Sequence, residues 1–307
     1  MDRRSLAMGI GSYVIWGFFP LYFHSLSPAG SLEIIAHRAF WGFISCLTAV
    51  FFLSRWDRVR DLVQDRETLR RLSTAGFLIL ANWGTYVYAV QTGHTVDAAL
   101  GYFLNPLVTV ALARIVLGEK LNRSQIVALG LGIVAVLVLL VGMGRLPWIS
   151  LLLALTFGFY SLIKKRVANV TPPLEGMLVE TSAVLPVAVS YYAYLVMSGK
   201  TSFHVIAADP GQTTTWPPHL ALLIGSGLLT MIPLLLFARA AQGLPLAVLG
   251  LIQYINPILQ MGIGVLVFHE EMITARWIGT GVIFLALIVL SADWVKQILL
   301  RPSQPSR

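Results

Sequence analysis

An apolar stretch near the start of this 307-residue chain contains four side chains that could bind a charged ligand or a proton. Glu33, His37 and Trp41 recur at every fourth position, so a helix places them on one face, and Arg38 lies on the adjoining face. A guanidinium without a partner in a lipid bilayer costs about 2.5–3.5 kcal/mol on insertion scales. We therefore expect Arg38 to meet a buried acid, or an anionic or carbonyl-bearing substrate.

A second ionisable group, Glu180, lies equally deep in a later apolar stretch and is the candidate partner of Arg38. An ion pair between them would be structural, whereas separate roles would leave Arg38 to the substrate and Glu180 to a coupling proton. Glu33 lies near the start of its stretch, close to the outer interface, where we expect a solvated helix start. Glu33, His37 and Glu180 are also candidate coupling groups, because burial and neighbouring charges decide when carboxylates and imidazoles bind a proton.

Two further apolar segments each carry a polar stripe. Three residues spaced for one helical face make up each stripe: Tyr102, Asn105 and Thr109 in the first, and Gln253, Asn256 and Gln260 in the second. Pro106 and Pro257 follow the two asparagines, and each removes a backbone donor, which favours a kink beside the Asn side chain. The stripes either line a substrate cavity or hold helix to helix by hydrogen bonds.

Aromatic side chains could complete such a cavity, because their flat faces bind organic compounds with little specificity. Asn82, Trp83 and Tyr86 lie in the middle of an apolar stretch and are the strongest candidates. The wider aromatic set consists of Trp16, Tyr22, Trp41, Tyr88, Tyr160 and Tyr254. Tryptophan and tyrosine also form belts at membrane interfaces, which is the alternative interpretation.

Two fragments of enzyme motifs occur, and neither is complete. Residues 198–201 (SGKT) imitate the end of a phosphate-binding loop, but Tyr194 stands where the first glycine should be. His269 and Glu270 begin like the helix of a zinc protease, yet Ile273 replaces the second histidine. We therefore expect no catalytic residue, no metal site and no cofactor.

Membrane helices must position these residues, because the composition is that of a bilayer protein. Hydrophobic residues make up 57% of the chain and charged residues 12%, and the mean hydropathy is +0.77, which leaves too little polar surface for a soluble protein. Ten segments approach the roughly 20 apolar residues that cross a hydrocarbon core. They are residues 5–25, 31–54, 72–92, 96–118, 124–142, 147–164, 174–197, 220–241, 246–268 and 274–295. The predicted fold class is all-α, with ten transmembrane helices.

The 22 lysine and arginine residues orient these segments. With both termini inside, most of the basic loop residues fall on the cytoplasmic side, as the positive-inside rule requires. The first segment lacks a small-residue cleavage site, so we expect it to be retained as a span. The prediction is a multi-pass protein of the inner, cytoplasmic membrane with both termini cytoplasmic. The net charge of +8 belongs to these loops and does not indicate a nucleic-acid partner.

The chain also repeats itself. One constant shift superposes a series of residue pairs: Ala89 on Ala240, Gln91 on Gln242, Leu100 on Leu251, Asn105 on Asn256, Pro106 on Pro257, Glu119 on Glu270 and Gly130 on Gly281. Five spans per half is an odd number, so the second half enters the membrane inverted, as is typical of transporters. We place the two units at residues 1–145 and 146–307. We expect the Pro- and Thr-rich outside loop at 200–219 to be disordered or lid-like.

Four short segments carry a family resemblance. They are residues 32–38 (LEIIAHR), 82–83 (NW), 101–107 (GYFLNPL) and 253–257 (QYINP). On these segments, and over essentially the whole chain, the protein resembles RarD-type members of the EamA branch of the drug/metabolite transporter superfamily. The resemblance implies a ten-helix inner-membrane transporter with inverted five-helix repeats and a central substrate cavity.

The predicted function is secondary-active transport of a small organic metabolite or drug-like compound, with export by alternating access. The expected partners are this small molecule and the lipid bilayer, and a proton is the candidate coupling ion. A passive channel or facilitator for small solutes is the alternative, and a membrane-embedded transferase comes third. A channel would show no stimulation by counter-flow, and a transferase would yield a changed product.

Overall fold

The computed structural model describes residues 3–118, 120–167, 170–209, 214–244 and 252–299. Every regular element in these ranges is a helix, which confirms the all-α class for this part of the chain. In chain order the helices are α1 (Arg3–Gly17), α2 (Phe19–His24), α3 (Ser31–Phe52), α4 (Trp56–Gln64), α5 (Arg66–Gln91), α6 (Thr95–Leu117), α7 (Arg123–Met143), α8 (Trp148–Val167), α9 (Pro173–Met197), α10 (Ser202–Ala208), α11 (Trp216–Gly243), α12 (Ile255–Leu266) and α13 (Thr274–Leu299).

Seven stretches within the described residues are long and apolar enough to cross a membrane, by length and composition. They are Arg3–His24, Ser31–Phe52, Thr95–Val116, Arg123–Met143, Pro173–Ala208, Trp216–Phe237 and Thr274–Ala292. Three predicted spans fall short, because α5 has 26 residues but is less apolar, and α8 and α12 have shorter apolar parts. The protein is therefore a multi-pass membrane protein, while a count of ten spans is not confirmed.

Prolines lie in the first turn of some described helices and inside others, namely Pro106 in α6, Pro186 in α9 and Pro233 in α11. The first span breaks at Phe18, and Pro20 lies in the first turn of α2, where no helical N–H is required. α6 continues through Pro106 to its end. Pro257 lies in the first turn of α12, where N–H groups lack helical partners in any case. The part of the ninth predicted span at residues 246–251 lies outside the described residues.

Side chains set the start of two helices in the predicted cytoplasmic loops. The Asp65 carboxylate accepts hydrogen bonds from the N–H groups of Glu67 at 3.2 Å and Thr68 at 3.3 Å, and so begins α5. A hydrogen bond from the Thr68 hydroxyl is the main reason that the pKa of Asp65 lies below its usual value. Asn122 and Gln125 form a reciprocal capping box at the start of α7.

Contacts between helices follow a two-fold pattern. In this pattern α1 and α2 together correspond to α8, α3 to α9, α5 to α11, α6 to α12 and α7 to α13. Three helices pack on their own counterparts: α3 on α9, α6 on α12 and α7 on α13. Three further contacts each have a matched counterpart: α1–α11 with α8–α5, α3–α11 with α9–α5, and α1–α12 with α8–α6. This arrangement is consistent with two repeats that pack around a common axis.

Two glycines allow a matched pair of these crossings to close. A Cβ atom added to Gly76 on α5 would lie 2.5 Å from the carbonyl oxygen of Glu180 on α9. A Cβ atom added to Gly227 on α11 would collide in the same way with the backbone of Trp41 on α3. The shift that superposes the two halves of the sequence also superposes Gly76 on Gly227. Both crossings therefore require a residue without a side chain.

An apolar cluster joins α2, α3, α5 and α11 near the predicted outer side. Its buried members include Phe19 and Phe23 of α2, Ile34 of α3, Tyr86 of α5 and Leu223 of α11. Trp83 and Tyr102 pack against it. This cluster positions the aromatic side chains that surround Arg38.

Candidate functional site

Arg38 lies at the centre of the candidate site, with only 3% of its surface exposed. Its Nε atom donates a hydrogen bond to the Thr230 hydroxyl on α11 at 2.7 Å. The guanidinium carbon lies 4.0 Å from the centre of the Trp83 ring, 5.3 Å from that of Phe23 and 5.5 Å from that of Phe19. These distances place the cation on aromatic faces, which attract it electrostatically.

The charge of Arg38 has no acidic partner within the described ranges. Its Nη1 atom is buried, and no acceptor there lies within hydrogen-bonding distance of it. Tyr86 and Tyr102 lie close to Arg38, and their ring centres are 5.6 Å apart. The buried Tyr86 hydroxyl also lacks a partner in these ranges. We call Arg38, Phe23, Trp83, Tyr86 and Tyr102 the Arg38 chamber.

The expected ion pair between Arg38 and Glu180 is wrong. The Glu180 carboxylate is 4% exposed and accepts hydrogen bonds from Lys164 Nζ at 2.6 Å and from the Tyr160 hydroxyl at 3.2 Å. Both partners lie on α8, one helical turn apart, so α8 neutralises Glu180 without any help from α3. Arg38 is directed instead toward α5 and α11.

The expected solvated helix start at Glu33 is also wrong, because Glu33 is 3% exposed. The backbone N–H of Ser202 lies 3.0 Å from both carboxylate oxygens, and the Ser202 hydroxyl donates to one of them at 2.9 Å. His219 Nε2 lies 2.9 Å from the same hydroxyl. Ser202 is the first residue of α10, so Glu33 accepts from the first free N–H of this helix.

This contact also corrects the expectation of a disordered loop at 200–219. The described part of that loop contains α10 and the first turn of α11, and both Ser202 and His219 are buried. Glu33, itself buried, holds the segment against α3 through Ser202. Residues 210–213 lie outside the described residues.

His37 and Trp41 contact each other, whereas Glu33 binds elsewhere. Trp41 Nε1 donates to His37 Nδ1 at 3.3 Å, and the ring of Tyr192 on α9 lies edge-on to His37 with the centres 4.6 Å apart. His37 Nε2 is buried without a partner in the described part of the chain. The face of α3 that carries Glu33 and His37 thus contacts two neighbouring helices, α10 through Glu33 and α9 through His37.

Asn82 connects helices. Its amide nitrogen donates to the Leu153 carbonyl and to the Thr156 hydroxyl, both at 3.0 Å, and the Tyr102 hydroxyl donates to its oxygen at 3.4 Å. α5, α6 and α8 therefore meet at this one amide, which fixes Tyr102 at the edge of the Arg38 chamber. The geometry is that of an interhelical hydrogen bond, and the side chain is fully buried.

The two polar stripes differ from each other. On α12, Gln260 donates to Asn256 Oδ1 at 2.7 Å and to the Trp16 carbonyl of α1 at 3.3 Å, so this stripe joins α12 to α1. On α6, Thr109 is exposed and donates to the carbonyl of Asn105, whose own side-chain oxygen is buried without a described partner. The two remaining candidates, half-buried, precede α12: Gln253 and Tyr254.

Several residues that complete these contacts were not predicted. Thr230 carried a signal, since Ser226 and Thr230 are spaced for one face of an apolar helix, as the α3 residues are. Lys164 is the last residue of the predicted span 147–164, and its long side chain turns back to Glu180. Ser202 and His219 carried no signal, because nothing local distinguishes them from loop residues.

A groove of about 430 Å³ lies elsewhere, between α4 and the helices α3, α5 and α9. Phe43, Trp56 and Val63 are among its mainly apolar lining residues. None of the predicted cavity residues lines it, so we assign it no part in the site. Among the described residues, no group of three or more His, Cys, Asp or Glu side chains could hold a metal ion.

Known proteins match the chain over nearly its whole length. The model of the EamA-like transporter family matches residues 3–141 and again residues 146–292. Protein RarD of Streptomyces exfoliatus is 42% identical over 292 residues, which cover 95% of this chain and 89% of that protein. An uncharacterized transporter of Pseudomonas aeruginosa is 38% identical over 292 residues, with 95% and 94% covered. A solved crystal structure has the same fold, with a TM-score of 0.58, 17% identity and coverage of 98% and 100%.

Proposed function

We propose, from the premise that the chain belongs to the EamA-like transporter family, that it exports a small organic metabolite or drug-like compound by secondary-active transport. The family and the names of its relatives indicate a transporter rather than an enzyme. We place it in the inner membrane with both termini cytoplasmic, because the basic loops favour that orientation. We assign residues 1–145 and 146–307 to two inverted units.

One observation supports this mechanism above the others, namely that Arg38 is held from both units at once. Trp83, 4.0 Å from the guanidinium carbon, belongs to α5 of the first unit. Thr230, 2.7 Å from Nε, belongs to α11 of the second unit. Alternating access moves one repeat against the other, so we expect at least one of these two contacts to change through the cycle. A ligand that binds Arg38 more tightly in one arrangement shifts the population toward it.

We propose that the remaining residues act in two groups. One group forms the substrate cavity with Arg38: Trp41, Asn82, Trp83, Tyr86, Tyr102, Asn105, Gln253, Tyr254, Asn256 and Gln260. The other group is the candidate for proton coupling: Glu33, His37 and Glu180. Glu33 and Glu180 are each buried against a partner that a conformational change can withdraw, Ser202 and Lys164 respectively. A carboxylate that loses such a partner is stabilised by a proton instead.

A metabolite comparison tests this function even while the substrate is unidentified. Cells that lack the protein and cells that overproduce it are compared for compounds inside the cells and in the medium. We expect at least one compound to be retained by the first and enriched outside the second. Cells that produce Arg38→Gln should resemble cells without the protein, and cells that produce Arg70→Gln, at an exposed site, should resemble the wild type. Identical profiles in all strains would contradict transport.

A further inference from the structure

Two guanidinium groups are buried in the described part of the chain, and only one of them has a counter-charge. Arg276, 8% exposed, donates to the carboxylate of Asp97 at 3.0 Å. Arg38 is at least as buried, but the groups around it are a hydroxyl and aromatic rings. A buried cation without a counter-charge is unfavourable, so any ligand that supplies one stabilises the conformation that binds it.

We infer that the Arg38 chamber binds a small organic monoanion, with its anionic oxygen on the guanidinium and a planar apolar body against the rings. This inference rests on the proposed function, because the anion would be the transported compound. It goes beyond that function in naming the charge and the shape of the substrate.

The charge of the ligand follows from the electrostatics of the chamber. Arg38 contributes one positive charge, and in the described ranges no acid is paired with it. A monoanion leaves the chamber neutral, whereas a dianion would leave one uncompensated charge in the same apolar surroundings. A cation would be repelled, and a neutral compound would leave the guanidinium as it is. A charge-assisted hydrogen bond from Arg to an oxyanion is also stronger than one to a neutral carbonyl.

Two buried donors of the chamber have no acceptor among the described residues. Arg38 Nε donates a hydrogen bond to the Thr230 hydroxyl at 2.7 Å, which fixes the plane of the guanidinium. Nη1 is buried and lacks an acceptor among the described residues, so it is available to a ligand. The Tyr86 hydroxyl is likewise unpartnered there and can donate to the same anionic group. A carboxylate, which accepts several hydrogen bonds at two oxygens, matches these donors.

The shape of the ligand follows from the rings. Trp83 presents its face toward the guanidinium at 4.0 Å, and the rings of Tyr86 and Tyr102, tilted by 49° to each other, have their centres 5.6 Å apart. Flat faces pack well against a flat ligand, and stacked or edge-on aromatic contacts add to the burial of apolar surface. An aromatic carboxylate combines both features, so compounds of this type are the probes of choice.

Ligand-induced stabilisation of the purified full-length protein tests the inference directly. The probes are benzoate, benzamide and benzylamine, which share a ring and differ in charge, together with cyclohexanecarboxylate, which keeps the charge and loses the flat ring. Thermal unfolding is recorded at millimolar probe concentration, because a ligand that binds the native state raises the melting temperature. The variants are Arg38→Gln, Arg38→Lys and, as the control at an exposed arginine, Arg70→Gln.

We expect benzoate to raise the melting temperature of the wild type and of Arg70→Gln, cyclohexanecarboxylate to raise it less, and benzamide and benzylamine to leave it unchanged. Arg38→Gln should lose the benzoate shift, and Arg38→Lys should keep a reduced one. Equal shifts with benzamide, or no shift with benzoate in the wild type, would overturn the inference even if Arg38→Gln fails to fold.

The same probes separate this inference from the proposed function. If the metabolite comparison reveals an exported compound that is neutral or cationic, the protein is a transporter and the anion site is wrong. If benzoate binds through Arg38 but no compound moves in that comparison, the anion site stands and the proposed transport is wrong.

Discussion

Replacement of Arg38 by methionine should leave the free energy of unfolding close to that of the wild type, although Arg38 is one of the most buried charged residues described. The change removes a hydrogen bond from a charged group to Thr230, worth about 1.5–3 kcal/mol, and a cation–π contact with Trp83, worth about 0.5–2 kcal/mol. It also removes the desolvation penalty of an unpaired buried charge, which is several kcal/mol. The opposing effects nearly cancel, so we expect a net change within about 2 kcal/mol.

Arg276→Met provides the matched comparison, because both residues are buried arginines on long helices. Arg276 donates to Asp97 at 3.0 Å, and its removal strands a carboxylate that is itself buried. Loss of one partner from a buried ion pair typically destabilises a protein by about 3–5 kcal/mol. We therefore expect Arg276→Met to unfold at a clearly lower temperature or denaturant concentration than Arg38→Met.

Chemical unfolding of the purified proteins in detergent, followed by circular dichroism, measures both changes under the same conditions. Folded yield after extraction from the membrane gives an independent check. If Arg38→Met loses as much stability as Arg276→Met, then Arg38 has a structural partner and the reasoning about its uncompensated charge is refuted.

Three further predictions concern the architecture. Gly76→Ala should destabilise the protein by about 1–3 kcal/mol, because its new methyl group meets a backbone carbonyl. Gly84→Ala, whose methyl group meets open space within the same helix, should not destabilise the protein in the same unfolding assay. Glu33→Gln should speed hydrogen exchange in α10, and unchanged protection there would contradict the capping role. Single cysteines at Ser124 and Thr274, in a background without the native cysteine, should be labelled from opposite sides of the membrane; same-side labelling would remove the inverted repeat.

Much of the helical framework could be predicted, because length and apolarity are local properties of the sequence. The segment predicted at 31–54 is the helix Ser31–Phe52, and that predicted at 124–142 is Arg123–Met143. The importance of Arg38 also followed from a local fact, since a guanidinium in an apolar helix always needs an explanation. The aromatic candidate Trp83 was identified because it lies in the middle of an apolar stretch, and it contacts Arg38.

The partners of these residues could not be predicted, because they depend on which way each helix is rotated and on contacts between distant parts of the chain. Arg38 and Glu180 lie on the corresponding helices α3 and α9, yet one is directed toward α5 and α11 and the other toward α8. A solvated Glu33 was expected because Ser202, its partner, lies 169 positions away. Lys164 ends a predicted span and was not named as a partner, whereas its long stem allows it to reach a buried acid.

The central claim is that this protein is a carrier whose substrate contacts Arg38. Counter-flow in proteoliposomes tests this claim most directly. Vesicles that contain the purified protein are preloaded with unlabelled benzoate, and uptake of labelled benzoate is followed against vesicles without protein. A carrier with an anion site at Arg38 predicts a transient accumulation in preloaded wild-type vesicles, its retention in Arg70→Gln and its loss in Arg38→Gln. Uptake of labelled benzoate that does not depend on preloading, or equal accumulation of it in wild type and Arg38→Gln, would contradict the account.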